Sequence, residues 1–467
     1  MKLRHSILAL LTIALSVFSV AQAREILIKE ISVLQEVANK LEAGDTLILA
    51  DGEWKDVHIV LNNQGTADAP ITLRAQTPGK AIITGGSRIG IGGSHIIIDG
   101  LHFLNAETPR PKDLESHIGK QPKADEEVVA IIDFIGGPKK YATHSRVTNC
   151  YFDKCNPSET RRYHWVRMWG RHNRVDHCRF EGQDHRGVTV QIRLAQPDAE
   201  HSIDHNYFFD RKSAEENGYE GIQIGQSWAS LERGGCIVEK NIFEEYNGET
   251  EIISNKTCDN IIRNNLFLRS RGTLTLRHGN RTLADSNVFI SDGEPRSGGI
   301  RIIGEDHVVT NNYFFETNGF DGGVISFYCG IPDGPINGYA AAHRARVANN
   351  TIINPKGNVF YLNAGFGSRN RTILAEGTAI EDNVIVHTLN YGGVTLAGDL
   401  PSQKLNGNLY NGKAFGRPST DGFESRKLSI KEDKDGLYSV IDDETGESLG
   451  LTLPQVTSHE EVGPDWL

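Results

Sequence analysis

Long apolar stretches are scarce in this 467-residue chain, as are methionine, with 2 residues, and tryptophan, with 5. Beyond residue 23 no apolar run is long enough to span a bilayer, so a soluble product without a membrane partner is expected. Cysteine is sparse as well. The six cysteines (Cys150, Cys155, Cys178, Cys236, Cys258, Cys329) form no short-spaced pair, which excludes a zinc or redox motif. A chain of this length buries a large core without staples, so they read as buried small apolar residues and no disulfide is predicted. Positive charge is in deficit: after residue 23, 47 Lys and Arg face 60 Asp and Glu, a formal charge of −13. That balance excludes a general nucleic-acid binder. Helical periodicity is almost absent, which excludes leucine-rich and helical repeats.

What is present begins with a leader. Lys2, Arg4 and His5 precede a largely apolar Ile7 to Val20, and Ala21-Gln22-Ala23 forms a small-x-small cleavage site. Residues 1–23 therefore read as a secretory signal peptide, with a periplasmic or secreted product. Charge in the remainder is uneven. From Lys256 to Arg301, eight basic residues face four acidic ones, a local basic groove suited to a polyanion in an otherwise acidic body. Solvated arginines on a strand surface are the alternative.

A short pattern recurs along the chain: apolar, two polar residues, Asn or Cys, any residue, then aromatic or aliphatic. It reads VTNCYF at 147, VDHCRF at 175, IDHNYF at 203, VEKNIF at 238, IRNNLF at 262, ADSNVF at 284 and VTNNYF at 309, with further copies at 347, 380 and 405. Successive copies lie 22 to 38 residues apart. An imperfect period of this size, built from short alternating strands and polar turns, indicates a stacked solenoid. A β-propeller would need roughly 40 residues per repeat. The remaining solution is an all-β parallel β-helix over 24–415. In it the repeat Asn stacks its amide from coil to coil and the aromatic two positions later fills the interior. His177 and His205 fall at repeat turns and read as structural. EISVLQEVANKLEAGD has a 3.6-period apolar face (Ile31, Leu34, Val37, Ala38, Leu41), predicting an N-terminal capping helix ended by Gly44. Residues 106–127 read as a polar surface loop, and 416–467 as a tail along the outside or over the last coil.

Stacking turns spacing into proximity. In NGETEIISNK, a strand of period two would put Glu249 and Glu251 on one face. Counted back from Asn265, Asn287 and Asn312, Lys256 is nine residues earlier, Arg277 ten and Arg301 eleven, which predicts nearly one column on three coils. Adjacent strands are about 4.8 Å apart, so that column spans roughly 10 Å. ENGYEGIQIG supplies Asn217 and Glu220 one coil earlier. Two carboxylates and an amide oxygen are hard ligands suited to Ca²⁺; a surface ion-pair network of Glu249, Glu251, Lys256 and Arg277 is the competing reading. The basic, aromatic stretch RRYHWVRMWGRHNRVDH, 161–177, either lines one end of the groove or packs on a coil face.

NGETEIISNK, LTLRHGN and SGGIRIIGE resemble the signatures of polysaccharide lyase family six, the alginate lyases and chondroitinase B. The resemblance runs from GDTLILADGEW to the coils near residue 350. It implies a right-handed parallel β-helix that cuts uronate polysaccharides by β-elimination, typically with calcium. Carried over by position, Asn217, Glu249 and Glu251 match the calcium ligands. Lys256 matches the Brønsted base, Arg277 the Brønsted acid, and His278 and Arg301 the substrate contacts. The expected function is cleavage of alginate to 4,5-unsaturated oligouronates by a monomer. Family members with two β-helices are much longer, so a single-domain form is expected. Action on dermatan sulfate would need further basic contacts; pectate cleavage and a non-catalytic glycan-binding solenoid are the other readings.

Overall fold

The computed structural model describes residues 23–109, 130–214, 216–319, 322–387, 403–411, 422–433, 436–449 and 456–467, with the backbone of 394–396. Apart from Ala23 the expected leader lies outside these residues, as does most of the expected loop at 106–127.

Short parallel strands wind into a β-helix. Among the described residues three sheets run its length. The first has 14 strands from Glu25–Ile28 to Lys404–Asn406, the second 14 from Gly52–Lys55 to Phe423–Ser425, and the third 12 from His58–Leu61 to Val394–Leu396. Each complete coil gives one strand to each sheet. The repeat seen in the sequence is the corner between the first and second sheets. Its third residue is left-handed in all ten copies (Asn149, His177, His205, Lys240, Asn264, Ser286, Asn311, Asn349, Asp382, Gly407), with φ between 46° and 65°. Asn, Asp and Gly reach that conformation most easily, and the corner demands it in every coil.

The fourth residue points inward. Asn206, Asn241, Asn265, Asn287, Asn312, Asn350, Asn383 and Asn408 form a continuous amide ladder, each Nδ2 donating to the next Oδ1 at 2.8–3.0 Å. Cys150 and Cys178 hold the same place in the two coils before it. All six cysteines are free and buried. Two residues on, Phe103, Phe152, Phe180, Phe208, Phe243, Phe267, Phe289 and Phe314 stack with centroids 4.5–5.1 Å apart. Each ring buries a large apolar area in an offset stack.

The N-terminal helix is shorter than its sequence pattern. A 3-10 turn, Ile31–Val33, leads into one α-turn, Leu34–Ala38, which ends six residues before Gly44. Leu34, Ala38 and Leu41 reach the core, whereas Ile31 is exposed. Gln35 covers the edge of the third sheet: its side chain accepts from Val60 N–H (2.7 Å) and donates to Val60 O (3.0 Å), satisfying groups an open edge would leave bare.

The C-terminal segment forms a small antiparallel sheet (Leu428–Glu432, Tyr438–Asp442, Ser448–Leu449) and then returns along the second sheet. Tyr438 N–H donates to Tyr313 Oη, Thr457 Oγ1 to Asn264 O, Gly463 N–H to His205 O, and Trp466 Nε1 to Asn149 O. It thereby covers apolar side chains such as Ile242, Leu266 and Val288 on the outside of that sheet.

Candidate active site

The third sheet builds the site. Strand Glu251–Asn255 lies between Ile222–Ile224 and Gly272–Leu276, and Ser297–Ile302 follows. Ile253, Leu274, Leu276, Ile300 and Ile302 point into the core, so the residues between them face out. Asn255 opposes Leu276. Lys256 and Arg277, the next residue of each strand, therefore leave adjacent coils at one level, about 4.8 Å apart. Lys256 N–H donates to Ile224 O and Arg277 N–H to Asn255 O, both at 2.8 Å. Arg301 opposes Thr275, which opposes Ser254, and so stands two residues back. The single column expected for Lys256, Arg277 and Arg301 is thus two neighbouring outward columns. Counting back from the ladder Asn assumes equal turns, yet Leu276 to Asn287 is eleven residues, while Asn255 to Asn265 and Ile302 to Asn312 are ten.

The two glutamates also differ from a simple strand pair. The strand begins at Glu251, and Glu249 sits in the bend before it. Both still face one cavity of about 740 Å³, lined also by Asn217, Lys256, Arg277, His278 and Arg301. Every residue singled out in the sequence for this chemistry therefore meets at one place.

Charges there are sorted unequally. Glu251 lies 3.7 Å from Arg277 Nε and 3.6 Å from Arg301 Nη1, and accepts from Ser254 Oγ. Lys256 Nζ pairs with Glu220 at 3.4 Å rather than with either expected glutamate. Burial alone would raise the Glu220 carboxyl, but Lys256 and a backbone N–H hold it below its ordinary range. Glu249 has no cation among the described residues. It accepts from Gly218 and Tyr219 N–H (3.1 and 3.2 Å), and burial, then the charges of Glu220 and Glu251, push it up to about 9. His278 is driven down to about 3 by burial, Arg277 and Lys256. It is neutral, and its Nδ1 accepts from Arg277 Nη1 at 3.3 Å.

No group of three or more His, Cys, Asp or Glu side chains among the described residues stands ready to hold a metal ion. The donor set Asn217, Glu249 and Glu251 nonetheless fits a hard divalent cation, because it supplies oxygens only. Two further facts agree: Glu249 lacks a counter-charge, and the neighbouring Glu220 Oε2 is buried without a hydrogen-bond partner.

An aromatic wall was not foreseen. Arg277 lies over the Tyr339 ring at 4.3 Å and Arg301 over Tyr328 at 4.9 Å. Arg371 lies over Tyr339 at 4.7 Å. Arg301 also donates to both tyrosine hydroxyls at 3.3 Å, and Arg277 to Gly338 O at 3.3 Å. Tyr328 was within reach of the sequence: in VISFY, Ile325 and Phe327 alternate inward, so Tyr328 must face out beside Arg301. Tyr339 and Arg371 sit on irregular connections, where no periodicity announces them.

A profile of the chondroitinase B family matches residues 28–448. Among solved structures, the PL6 family alginate lyase AlyGC aligns with a TM-score of 0.87 and 34% identity, over 95% of this chain and 59% of that one. The chain thus spans less than two thirds of that relative. A mannuronic acid specific family 6 lyase from human gut microbiota aligns at 0.73 with 27% identity, over 87% of this chain and 91% of that one. A PL6 alginate lyase in complex with a trisaccharide, 21% identical, shares the fold at 0.72. No curated protein matches the chain. With the family profile spanning nearly all of the β-helix and the basic and acidic side chains converging on its third sheet, the chain belongs to the chondroitinase B family, polysaccharide lyase family six.

Proposed function

We propose that this protein cleaves the 1,4-glycosidic bond of alginate by β-elimination and leaves a 4,5-unsaturated uronate at the new end. The observation that carries this reading is the emergence of Lys256 and Arg277 from adjacent coils at one level, above Glu249 and Glu251. Elimination needs a base at C5 and a donor near the leaving O4 of one ring, and that spacing serves both. Lys256 Nζ takes the C5 proton. Glu220, 3.4 Å away, stabilises the ammonium that results. Arg277 donates to the oxygen at C4 as its bond breaks. A guanidinium does not give up its proton readily, so solvent completes that transfer. Neutral His278 orients Arg277 rather than serving as an acidic imidazolium. Arg301, backed by two tyrosines, holds a substrate carboxylate.

Asn217, Glu249 and Glu251 would hold calcium, which supplies charge to neutralise the uronate carboxylate and so makes the C5 proton removable. Export to the periplasm or medium belongs to the same reading and is supported by the leader at 1–23. Alginate is favoured over dermatan sulfate by the AlyGC likeness. The test is growth of ultraviolet absorbance from the conjugated product. It should rise with alginate and stay flat with dermatan sulfate and pectate. No rise with alginate would overturn the proposal.

A further inference from the structure

The amide ladder at the corner between the first and second sheets does not reach the N-terminal coils. It begins at Asn206, and strand register puts Leu101, Cys150 and Cys178 in the same inward place on the three coils before it. Asn206 shows what those coils lack. Its Nδ2 donates to Asp204 O of its own coil (3.0 Å), Val175 O of the coil before (2.9 Å) and Asn241 Oδ1 of the coil after (2.9 Å). The Cys178 thiol faces the equivalent carbonyls, Asp176 O at 3.2 Å and Val147 O at 3.8 Å. Cys150 faces Thr148 O of its own coil at 3.2 Å. A thiol offers one weak donor where an amide offers two strong ones, and Leu101 offers none. Each coil of a solenoid is held mainly by its neighbours, so at this corner the early coils are joined more weakly than the rest.

Residues 456–467 cross the same coils from outside, and their bonds fall on the left-handed residues of that corner. Thr457 Oγ1 donates to Asn264 O (2.9 Å), Gly463 N–H to His205 O (3.0 Å) and Trp466 Nε1 to Asn149 O (3.0 Å). Asp465 N–H donates to Asn149 Oδ1 at 2.9 Å, and His459 pairs with Glu244 at 2.7 Å. Asn149, His177, His205, Lys240 and Asn264 are successive corners, so these bonds cover four steps of the stack, roughly 19 Å. They join residues 193 to 317 positions apart in sequence. Trp466 lies against coils that lack the ladder. Its ring centroid is 6.1 Å from that of His102 and 6.3 Å from that of Tyr151, and a Cβ on Gly79 would overlap it.

We propose that residues 456–467 are a strap that does from outside what the amide ladder does from inside. It ties the coils of Leu101, Cys150 and Cys178 to the coils that carry the candidate site. Nearest-neighbour contacts alone would let a solenoid fray from its weaker end. A strap that skips over neighbours makes the early coils open together with the later ones. Releasing it therefore loosens the N-terminal coils and leaves the cavity on the third sheet as it was.

The test is native-state amide hydrogen exchange, read by mass spectrometry, in the natural protein and in a chain ending at Gly463. Removing Pro464 to Leu467 takes away both bonds to Asn149 and the Trp466 contacts. Exchange in 96–104 and 146–153 should become about 10- to 100-fold faster, while 237–302 stays within about twofold of the natural protein. Trp466→Ala in the full chain should give the same pattern more weakly. Cys178→Asn extends the ladder by one coil, and in the shortened chain it should slow exchange in 146–153 by about threefold or more. Unchanged exchange in the early coils, or an equal rise in every coil, would overturn the strap. A shortened chain that Cys178→Asn does not slow would overturn the equivalence of strap and ladder.

Discussion

Asn255 should matter to catalysis although it never touches substrate. It is fully buried directly before Lys256 and ties that residue to the following coil. Its Nδ2 donates to Thr257 O (3.1 Å), His278 O (3.2 Å) and Thr282 Oγ1 (3.0 Å), and its Oδ1 accepts from Asn260 Nδ2 (2.8 Å). Its carbonyl accepts the N–H groups of both Arg277 and His278. In Asn255→Ala the Asn260 amide keeps its bonds to Thr257, but the buried His278 carbonyl loses the side-chain donor it has. One such loss costs about 1–3 kcal/mol, and the three other bonds about 1 kcal/mol each, so about 4–6 kcal/mol in all. An unfolding entropy near 2.1 cal/mol/K per residue makes 1 kcal/mol worth about 1 °C in a chain this long, hence a fall of about 4–6 °C by calorimetry. Activity should drop further than stability alone explains. A shift of about 1 Å between base and donor costs on the order of 10²-fold, so kcat on alginate should fall about 10- to 100-fold with little change in KM. If Tm falls as stated and kcat stays within twofold, the coupling of these two coils through Asn255 is not what sets the geometry.

Lys256→Ala should lower kcat by about 10²- to 10⁴-fold, the usual contribution of a general base, with substrate affinity nearly kept; turnover followed by absorbance decides it. Tyr339→Ala removes the ring beneath Arg277 and Arg371 and should cut kcat/KM about tenfold or more, whereas Tyr339→Phe should cost less than threefold. Chelation should abolish most activity, and added calcium at about 100 times its Kd should raise stability by about 2.7 kcal/mol in the natural protein but not in Glu249→Gln. Burial would raise the Asp176 carboxyl, but Arg146 and His177 outweigh it and hold it at about 2. That stabilisation is full above its ordinary value near 4 and is lost as pH falls through 2. It is worth about 2 kcal/mol, so Asp176→Asn should be less stable at pH 7 and equal to the natural protein below pH 2.

The β-helix was legible because its repeat obeys local physics. A left-handed corner, an inward amide and a stacked ring recur in each coil, and each leaves a residue preference behind. Lys256, Arg277 and the glutamates could be brought together by counting from those corners. Counting failed where the turn after Leu276 gained one residue, which sets Arg277 level with Lys256 and leaves Arg301, two residues back, in the neighbouring column. It failed again at Glu249, where a bend stands in place of a strand. The capping helix shrank because its apolar stripe needed only Leu34, Ala38 and Leu41 to close the first coil. Tyr339 and Arg371 left no trace, since they reach the cavity on irregular connections whose path is set by contacts distant in sequence. Glu220 was noticed only as a neighbour of Asn217; its pairing with Lys256 depends on two coils meeting.

The ion-pair network and the metal site, offered by the sequence as rivals, divide the acidic residues between them. Arg277 and Arg301 satisfy Glu251, and Lys256 satisfies Glu220, so a network alone accounts for those carboxylates. It does not account for Glu249. That side chain is aimed into the cavity by two backbone N–H groups and is crowded by two other carboxylates, yet it meets no cationic side chain among the described residues. A protein that needed only a stable surface would gain by replacing it with glutamine, which keeps the backbone bonds and removes the repulsion. Glu249→Gln is therefore expected to be at least as stable as the natural protein in chelator. Its disadvantage should emerge only when calcium and alginate are supplied, and in that contrast the charge of Glu249 has its purpose.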